Sequence, residues 1–363
     1  MASFTTASYA ALQAGGPLVC HEIKRRAPTN TDVHIAVKMA GICHSDIHQV
    51  REEWGKAIFP MVPGHEIGGI VVAVGKDVKK FKVGDTVGVG CMVDSCRSCK
   101  SCKHGEEQYC TGGGAVFTYN SVEKYPHCPG YNAAEPEKSA VAYGGYSKDI
   151  VVSEQFVCSI PTNLDLAAAT PLLCAGITVY SPMKFYGLRA GQRFAVAGLG
   201  GLGHMAVKFG VAFGCHVTVI SRGPSKRDEA LKGLGAHAFL DSTDAAAMAA
   251  AGESFDFLLD CIAADHDVEL YLGTVAVDGK LVLVGVPSDK IKVSAFSFVM
   301  RRKQICGSLI GGIEETQEML NFCGLHNIVC DIEMVAAKDI NEAYDKTVKS
   351  QVKYRFVIDT ATI

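Results

Sequence analysis

No apolar run in the chain approaches the roughly 18 residues that a membrane span needs. The first residues, "MASFTTASYAALQAGG", lack the charged start, apolar block and cleavage site of a secretory leader. The expected location is therefore cytoplasmic, with an organellar address left open. An excess of either charge is also missing: 35 Lys and Arg against 38 Asp and Glu leave a formal net charge of -3. That balance gives no electrostatic case for nucleic acid or an anionic membrane as partner. No internal repeat is visible, and the one compositionally biased tract is a short alanine run at 245–251. Repeat and low-complexity architectures are set aside on that ground.

What the chain does have is length, glycine and cysteine. Its 363 residues allow one large domain or two ordinary ones with a substantial core. Thirty-eight glycines suit a soluble α/β protein with many strand-to-helix turns. Fifteen cysteines would mean disulfides in a small secreted domain; here reduced thiols and metal ligation are expected. Four of them fall within residues 96–110, whereas isolated ones such as Cys215, Cys261, Cys306 and Cys323 sit in apolar surroundings and read as small buried side chains.

Two textures follow one another along the chain. "DVHIAVKMAG", "EIGGIVVAVG" and "GDTVGVGC" are β-branched runs broken by glycine, which predicts an antiparallel, barrel-like region over residues 31–90. Residues 111–145 form a polar, glycine- and proline-bearing connector, expected to be a surface loop that links strands. After Pro161, "LDLAAATPLLCAGITVYSPMKF" has helical spacing. Strand and helix patterns then alternate through "RFAVAGLGGLGHMAVKFGVAFGCHVTVISR", "FDFLLDCIA", "GKLVLVGVP" and "QICGSLIGG", predicting a doubly wound parallel sheet. The tail reads helix, strand, helix, strand, and its last strand is free to rejoin the N-terminal region.

"GLGGLG" places Gly198, Gly200 and Gly203 in G-x-G-x-x-G spacing, with Gly201 and Leu202 between them. It follows the strand "RFAVA" and opens a helix, the context in which a pyrophosphate rests on a helix N-terminus. An acid is missing where an NAD site wants one, about 20 residues after the first glycine. Ser221 and Arg222 stand there, Lys226 follows, and the first carboxylate is Asp228. A carboxylate would repel a ribose 2′-phosphate, whereas Ser221, Arg222 and Lys226 bind one through charge-assisted hydrogen bonds. The alternative is a solvated basic helix start; NADP(H) is the expected cofactor.

Cys96, Cys99, Cys102 and Cys110 are separated by two, two and seven residues, spacing that wraps one tetrahedral ion in a closed structural site. Zinc is expected there, with an iron–sulfur cluster as the rival. "GICHSDIHQV" at 41–50 crowds Cys43, His44, Ser45, Asp46 and His48 together, "PGHEIGG" adds His65 and Glu66, and "PLLCAGITVY" adds Cys174. Spacing alone does not assemble these into a site. A cysteine nucleophile at Cys43 is the competing chemistry, but it leaves the dinucleotide motif unexplained.

These stretches, with "FPMVPGHEIGG", "VGVGCMVDSCRSCKSCKHGEEQYC" and "YRFVID", run almost end to end in the order found in the medium-chain zinc alcohol dehydrogenases. The chain resembles in particular the cinnamyl alcohol dehydrogenase group and its broad-specificity aldehyde reductase relatives. The resemblance implies a GroES-like β-rich catalytic domain, residues 1–173 and 312–363, carrying a structural zinc lobe at 91–112. A Rossmann NADP-binding domain, 174–311, is inserted between them. It implies two zinc ions per subunit, a catalytic one on Cys43, His65 and Cys174 with Glu66 able to approach it, and a structural one on the four-cysteine lobe. Ser45 and His48 fall on the family's proton-relay positions, Thr178 lies near the nicotinamide, and Trp54 matches a pocket-lining tryptophan. Glu53 stands where some plant members carry Asp at the relay's outer end. Hydride transfer between NADP(H) and primary alcohol/aldehyde pairs, by a homodimer, is what the resemblance leads one to expect. Polyol dehydrogenases and reductases of specialised aldehydes share most of these motifs, and a non-catalytic NADPH-binding protein would show a lost ligand.

Overall fold

The computed structural model describes residues 2–287 and 290–363. They fall into two compact units, Met1–Cys174 with Gly311–Ile363, and Ala175–Ile310. This division places Cys174 and Gly311 with the discontinuous unit, one residue beyond the limits expected from the sequence.

The contiguous unit is built on six parallel strands. In spatial order they are Ala238–Asp241, His216–Ser221, Arg193–Ala197, Phe255–Asp260, Val275–Leu283 and Gln304–Gly307. Strand order reverses beside Arg193–Ala197, whose neighbours follow it in opposite directions, and ligands of such sheets bind outside the strand ends at that point. The apolar runs are continuous because helices cover both faces. Phe194, Ala195, Val196 and Ala197 are all fully buried. Helix Gly201–Ala212 leaves the first strand directly, and helix Ala175–Phe185 packs along it, with Tyr180 edge-on to Phe209 at 5.4 Å.

The discontinuous unit centres on Asp32–Gly41, a strand with three partners: Ile67–Val74, Asp149–Ser153 and the C-terminal Arg355–Asp359, all antiparallel to it. Ile332–Ala336 extends the sheet parallel to the last of these. The tail strand therefore does return to the N-terminal region, pairing Val357 with Gly41.

One expectation needs correction and one needs detail. The connector 111–145 is no simple surface loop: Ala115, Val116, Tyr119, Tyr125 and Cys128 are buried, and Gly144–Tyr146 hydrogen-bonds to Val62–Gly64. Its polar composition misleads because most of its large apolar residues face inward, Phe117 being an exposed exception. The alanine-rich segment is helical, as its spacing predicts, but in three pieces. It runs as a turn of α-helix, Leu166–Ala169, and a 3₁₀ turn, Thr170–Leu173; Cys174 then leaves helical geometry (φ -130, ψ -66) before Ala175–Phe185 resumes it. Among the described residues no single helix is long and apolar enough to cross a membrane.

Candidate active site

Asp32–Gly41 delivers the first donor. It ends in a helix, His44–Val50, whose N-cap is Cys43. The cap is stabilised from the other side, because Asp46 reaches back to accept from the Cys43 amide at 2.9 Å. Asp46 is completely buried and its carboxylate is shared: Gly64 N and His65 Nδ1 lie 3.1 Å from Oδ1, and Tyr146 donates to Oδ2 at 3.0 Å. Burial works against a proton on His65, yet Asp46, Cys91 and Cys43 together outweigh it and hold the imidazole well above its usual range. When a metal takes the place of the second ring proton, the proton kept at Nδ1 by Asp46 leaves Nε2, 3.2 Å from Cys174 Sγ, as the donor atom.

Cys43, His65, Glu66 and Cys174 thus converge, with one donor atom from each within 4.8 Å of every other. All four are buried. The Cys174 thiol and the Arg355 charge hold Cys43 well below the usual thiol range, favouring the thiolate that ligates metals. Glu66 is pushed up to about 8 by burial, against the pull of Arg355. Arg355 Nη2 lies 3.0 Å from Glu66 Oε1 without hydrogen-bond alignment, and both carboxylate oxygens lack a hydrogen-bond partner. Two soft thiols, an oriented imidazole and an under-satisfied buried carboxylate are the donor set of a zinc site. The residues fit that ion. Gly41 is required here, since a Cβ on it would lie 2.0 Å from Glu66 Oε2.

Ser45 is half-buried on the same helix, with its Oγ 3.5 Å from Cys43 Sγ. His48 comes one turn later, bonded through Nδ1 to Glu53 and stacked on Trp54 at 4.7 Å between ring centroids. The Glu53 contact leaves Nε2 of His48 available for proton exchange.

The four-cysteine lobe also closes on itself. Cys96, Cys99, Cys102 and Cys110 bring their sulfurs within 4.8 Å of one another. The Cys102 amide, with the Thr111 amide and hydroxyl, brings Cys99 down to about 5. All fifteen cysteines are free of disulfides. A third cluster, Asp94 with His127 and Cys128, is already occupied: Arg97 sits on both carboxylate oxygens at 2.9 Å. A guanidinium stands where a cation would need to be.

In the contiguous unit, Gly198 adopts φ +86, and Gly200 caps helix Gly201–Ala212 with open space where a side chain would project. Leu202 is half-buried on the first turn. A Cβ on Gly203 would lie 1.9 Å from Gly198 O, so only glycine permits this strand-to-helix junction. Gly203→Ala is expected to cost about 1–3 kcal/mol and to weaken dinucleotide binding, read by thermal melts and fluorescence titration. Ser221 ends its strand buried, Arg222 is exposed, and Lys226 donates to Leu199 O of the glycine turn at 2.6 Å. Burial, with Arg222 nearby, lowers the Lys226 pKa. Thr178 is buried in the helix packed along the dinucleotide helix.

Asp46 does what its place beside Cys43 leads one to expect, holding local structure and a hydrogen bond behind a metal ligand, whereas the part of Arg355 and Tyr146 in the site was missed. The capping pattern at Cys43 and Asp46 was a usable local signal. Arg355 and Tyr146, remote in sequence, gave none.

A nucleotide-type parallel sheet and a β-rich unit bearing two cysteine-based donor sets define a metal-dependent dinucleotide oxidoreductase. Residues 29–162 match the alcohol dehydrogenase GroES-like domain, and residues 201–324 match the zinc-binding dehydrogenase family. A probable mannitol dehydrogenase of Medicago sativa is 49% identical over 354 residues, 97% of this chain and 94% of that one. Among solved structures, a cinnamyl alcohol dehydrogenase of Sorghum bicolor superposes with TM-score 0.93 at 46% identity, covering 99% of this chain and 98% of that one. The CAD of Helicobacter pylori, solved in complex with NADP(H), gives 0.89 at 41%, covering 99% of both. The chain belongs to the zinc-dependent alcohol dehydrogenase family.

Proposed function

We propose that the chain is an NADP(H)-dependent reductase of primary aldehydes, with zinc on Cys43, His65 and Cys174 and Glu66 as a mobile neighbour. The discontinuous unit is the catalytic domain and Ala175–Ile310 the coenzyme domain. The carrying observation is the buried convergence of Cys43, His65, Glu66 and Cys174 on one point. Zinc held there supplies Lewis-acid polarisation of a carbonyl oxygen, and NADPH supplies the hydride. Asp46 fixes the His65 tautomer, and Arg355 neutralises Glu66. Ser45 donates the proton that the product oxygen takes up, and His48, oriented by Glu53, replenishes it from solvent. Ser221, Arg222 and Lys226 hold the 2′-phosphate, and the Gly198–Gly203 turn admits the pyrophosphate. Cys96, Cys99, Cys102 and Cys110 hold a second, structural zinc.

We read the protein as cytoplasmic and homodimeric. Among the described residues strand Gln304–Gly307 ends its sheet with one neighbour, and Phe296, Val299 and Met300, in and just after the helix that precedes it, are 76%, 77% and 63% exposed. An unpaired edge with exposed apolar groups suits a second copy.

NADPH oxidation by zinc-replete protein, assayed on cinnamyl, benzyl and aliphatic aldehydes with NADH in parallel, tests the reading. Turnover with NADPH is expected. Equal use of NADH would refute the phosphate site, and inactivity on every aldehyde would refute the enzyme assignment. The likeness to a probable mannitol dehydrogenase makes NADP⁺-dependent mannitol oxidation the competing outcome.

A further inference from the structure

The geometry points to Tyr146 as a positioning residue for the catalytic metal, acting through Asp46 on His65. The inference rests on the zinc reading of the Cys43–His65–Cys174 cluster. A hydrogen-bonded chain runs outward from that cluster: His65 Nδ1 to Asp46 Oδ1 at 3.1 Å, Tyr146 OH to Asp46 Oδ2 at 3.0 Å, and Tyr344 OH to Tyr146 OH at 3.5 Å. Tyr146 and Asp46 are both fully buried, so neither can exchange its partner for water.

Asp46 has more to do than a caping carboxylate usually has. One oxygen binds the His65 ring and the Gly64 amide; the other binds the Cys43 amide and the Tyr146 hydroxyl. It therefore orients ligands on two separate segments at once. Without the tyrosine hydroxyl, Oδ2 loses one of these two contacts and keeps the Cys43 amide, with the Tyr119 phenol as the carboxylate's remaining aromatic partner, and the carboxylate gains freedom to rotate about its last bond. Rotation would misdirect the His65 lone pair, because the imidazole is set by what Nδ1 donates to.

Tyr146 is itself held by the backbone on either side. Its amide donates to Pro63 O at 3.0 Å, and the Gly145 and Gly144 amides donate to Gly64 O and Val62 O at 2.8 Å each. The last two residues of the connector and Tyr146 thus template the three that precede His65. Contact is close enough that a Cβ on Gly64 would lie 2.6 Å from the Tyr146 ring. Arg25 locks the same corner from behind: Nε donates to Asp149 O at 2.9 Å, and Nη2 donates to Gly144 O at 2.9 Å and Ser147 Oγ at 2.8 Å. The phenol hydroxyl is thereby delivered to Asp46 by a rigid frame, as a support for a ligand must be.

Tyr146→Phe removes one oxygen and leaves the packing of the ring in place. The test measures zinc loss from the protein to a chromogenic chelator, together with the visible d–d spectrum of protein carrying cobalt at the catalytic site. The expected result is about tenfold faster loss of one zinc, the lower end for a ligand-supporting contact, with the other zinc unchanged. The cobalt bands should shift, while the melting temperature stays within a few degrees of the parent. Tyr344→Phe, one bond further out, should change the rate less than threefold. In an Asp46→Asn background, adding Tyr146→Phe should have no further effect, since the two act in series. Parent-like zinc retention and spectrum in Tyr146→Phe, or an undiminished effect on top of Asp46→Asn, would overturn the inference and leave the zinc reading standing. Parent protein that retains only one zinc and shows no cobalt bands would overturn the zinc reading and the inference with it.

Discussion

Cys174→Ser is expected to lower kcat/KM for aldehyde reduction by about 10³-fold or more, a loss of about 4 kcal/mol of transition-state stabilisation. A serine hydroxyl stays protonated at neutral pH, so the cluster loses one of two thiolates and with it most of its hold on a soft-leaning cation. The fold should survive. Serine is slightly smaller than cysteine, and its hydroxyl has His65 Nε2 as a ready partner, that atom lying 3.2 Å from the present sulfur. Metal analysis should show one zinc per chain in place of two, because the lobe of Cys96, Cys99, Cys102 and Cys110 has a donor set of its own. A variant that keeps both zinc ions and parent activity would remove Cys174 from the ligand set.

The double substitution Ser221→Asp with Arg222→Gln should reverse coenzyme preference. Hydrogen bonds to charged groups contribute roughly 1.5–3 kcal/mol each, so losing two predicts a fall of roughly 10²–10⁴-fold in kcat/KM for NADPH. The new carboxylate adds repulsion of the 2′-phosphate and an acceptor for the ribose 2′-hydroxyl, so the value for NADH should rise. Lys226 moderates the effect, since its ammonium remains anchored on Leu199 O beside the glycine turn. Steady-state kinetics with both coenzymes would decide the matter. Persistent NADPH preference would mean that the phosphate is bound elsewhere.

Features encoded locally were readable from the chain alone. "RFAVA" and "HVTVIS" are apolar because helices cover both faces of a parallel sheet, and both are strands. The Cys96–Cys110 lobe was readable for a similar reason, as one loop carries all its donors. The catalytic cluster was not, because Cys43, His65 and Cys174 meet only after strands far apart in sequence have paired. Resemblance supplied that grouping. Asp46 reads as a residue for local structure or for a hydrogen bond behind the ligands, and it makes both; that the ligand it supports is His65 depends on Gly64 being brought alongside. Connector 111–145 was misjudged because polarity was averaged over residues whose inward and outward faces differ. Arg355 lay inside "YRFVID", where a strand reading gives no hint that a guanidinium will be buried against Glu66.

The return of Arg355–Asp359 to the N-terminal sheet bears on how the chain is made. Residues 175–310 are contiguous and can close their sheet while synthesis continues. The other unit cannot: Asp32–Gly41 waits for a partner more than 300 residues away, which also brings the counter-charge for Glu66. Until that strand leaves the ribosome, an apolar edge stays open at the very place where metal ligands are being gathered. The metal centre is thereby completed only after that strand has been made, and a nascent chain that has not reached it has neither a finished sheet nor a neutralised site.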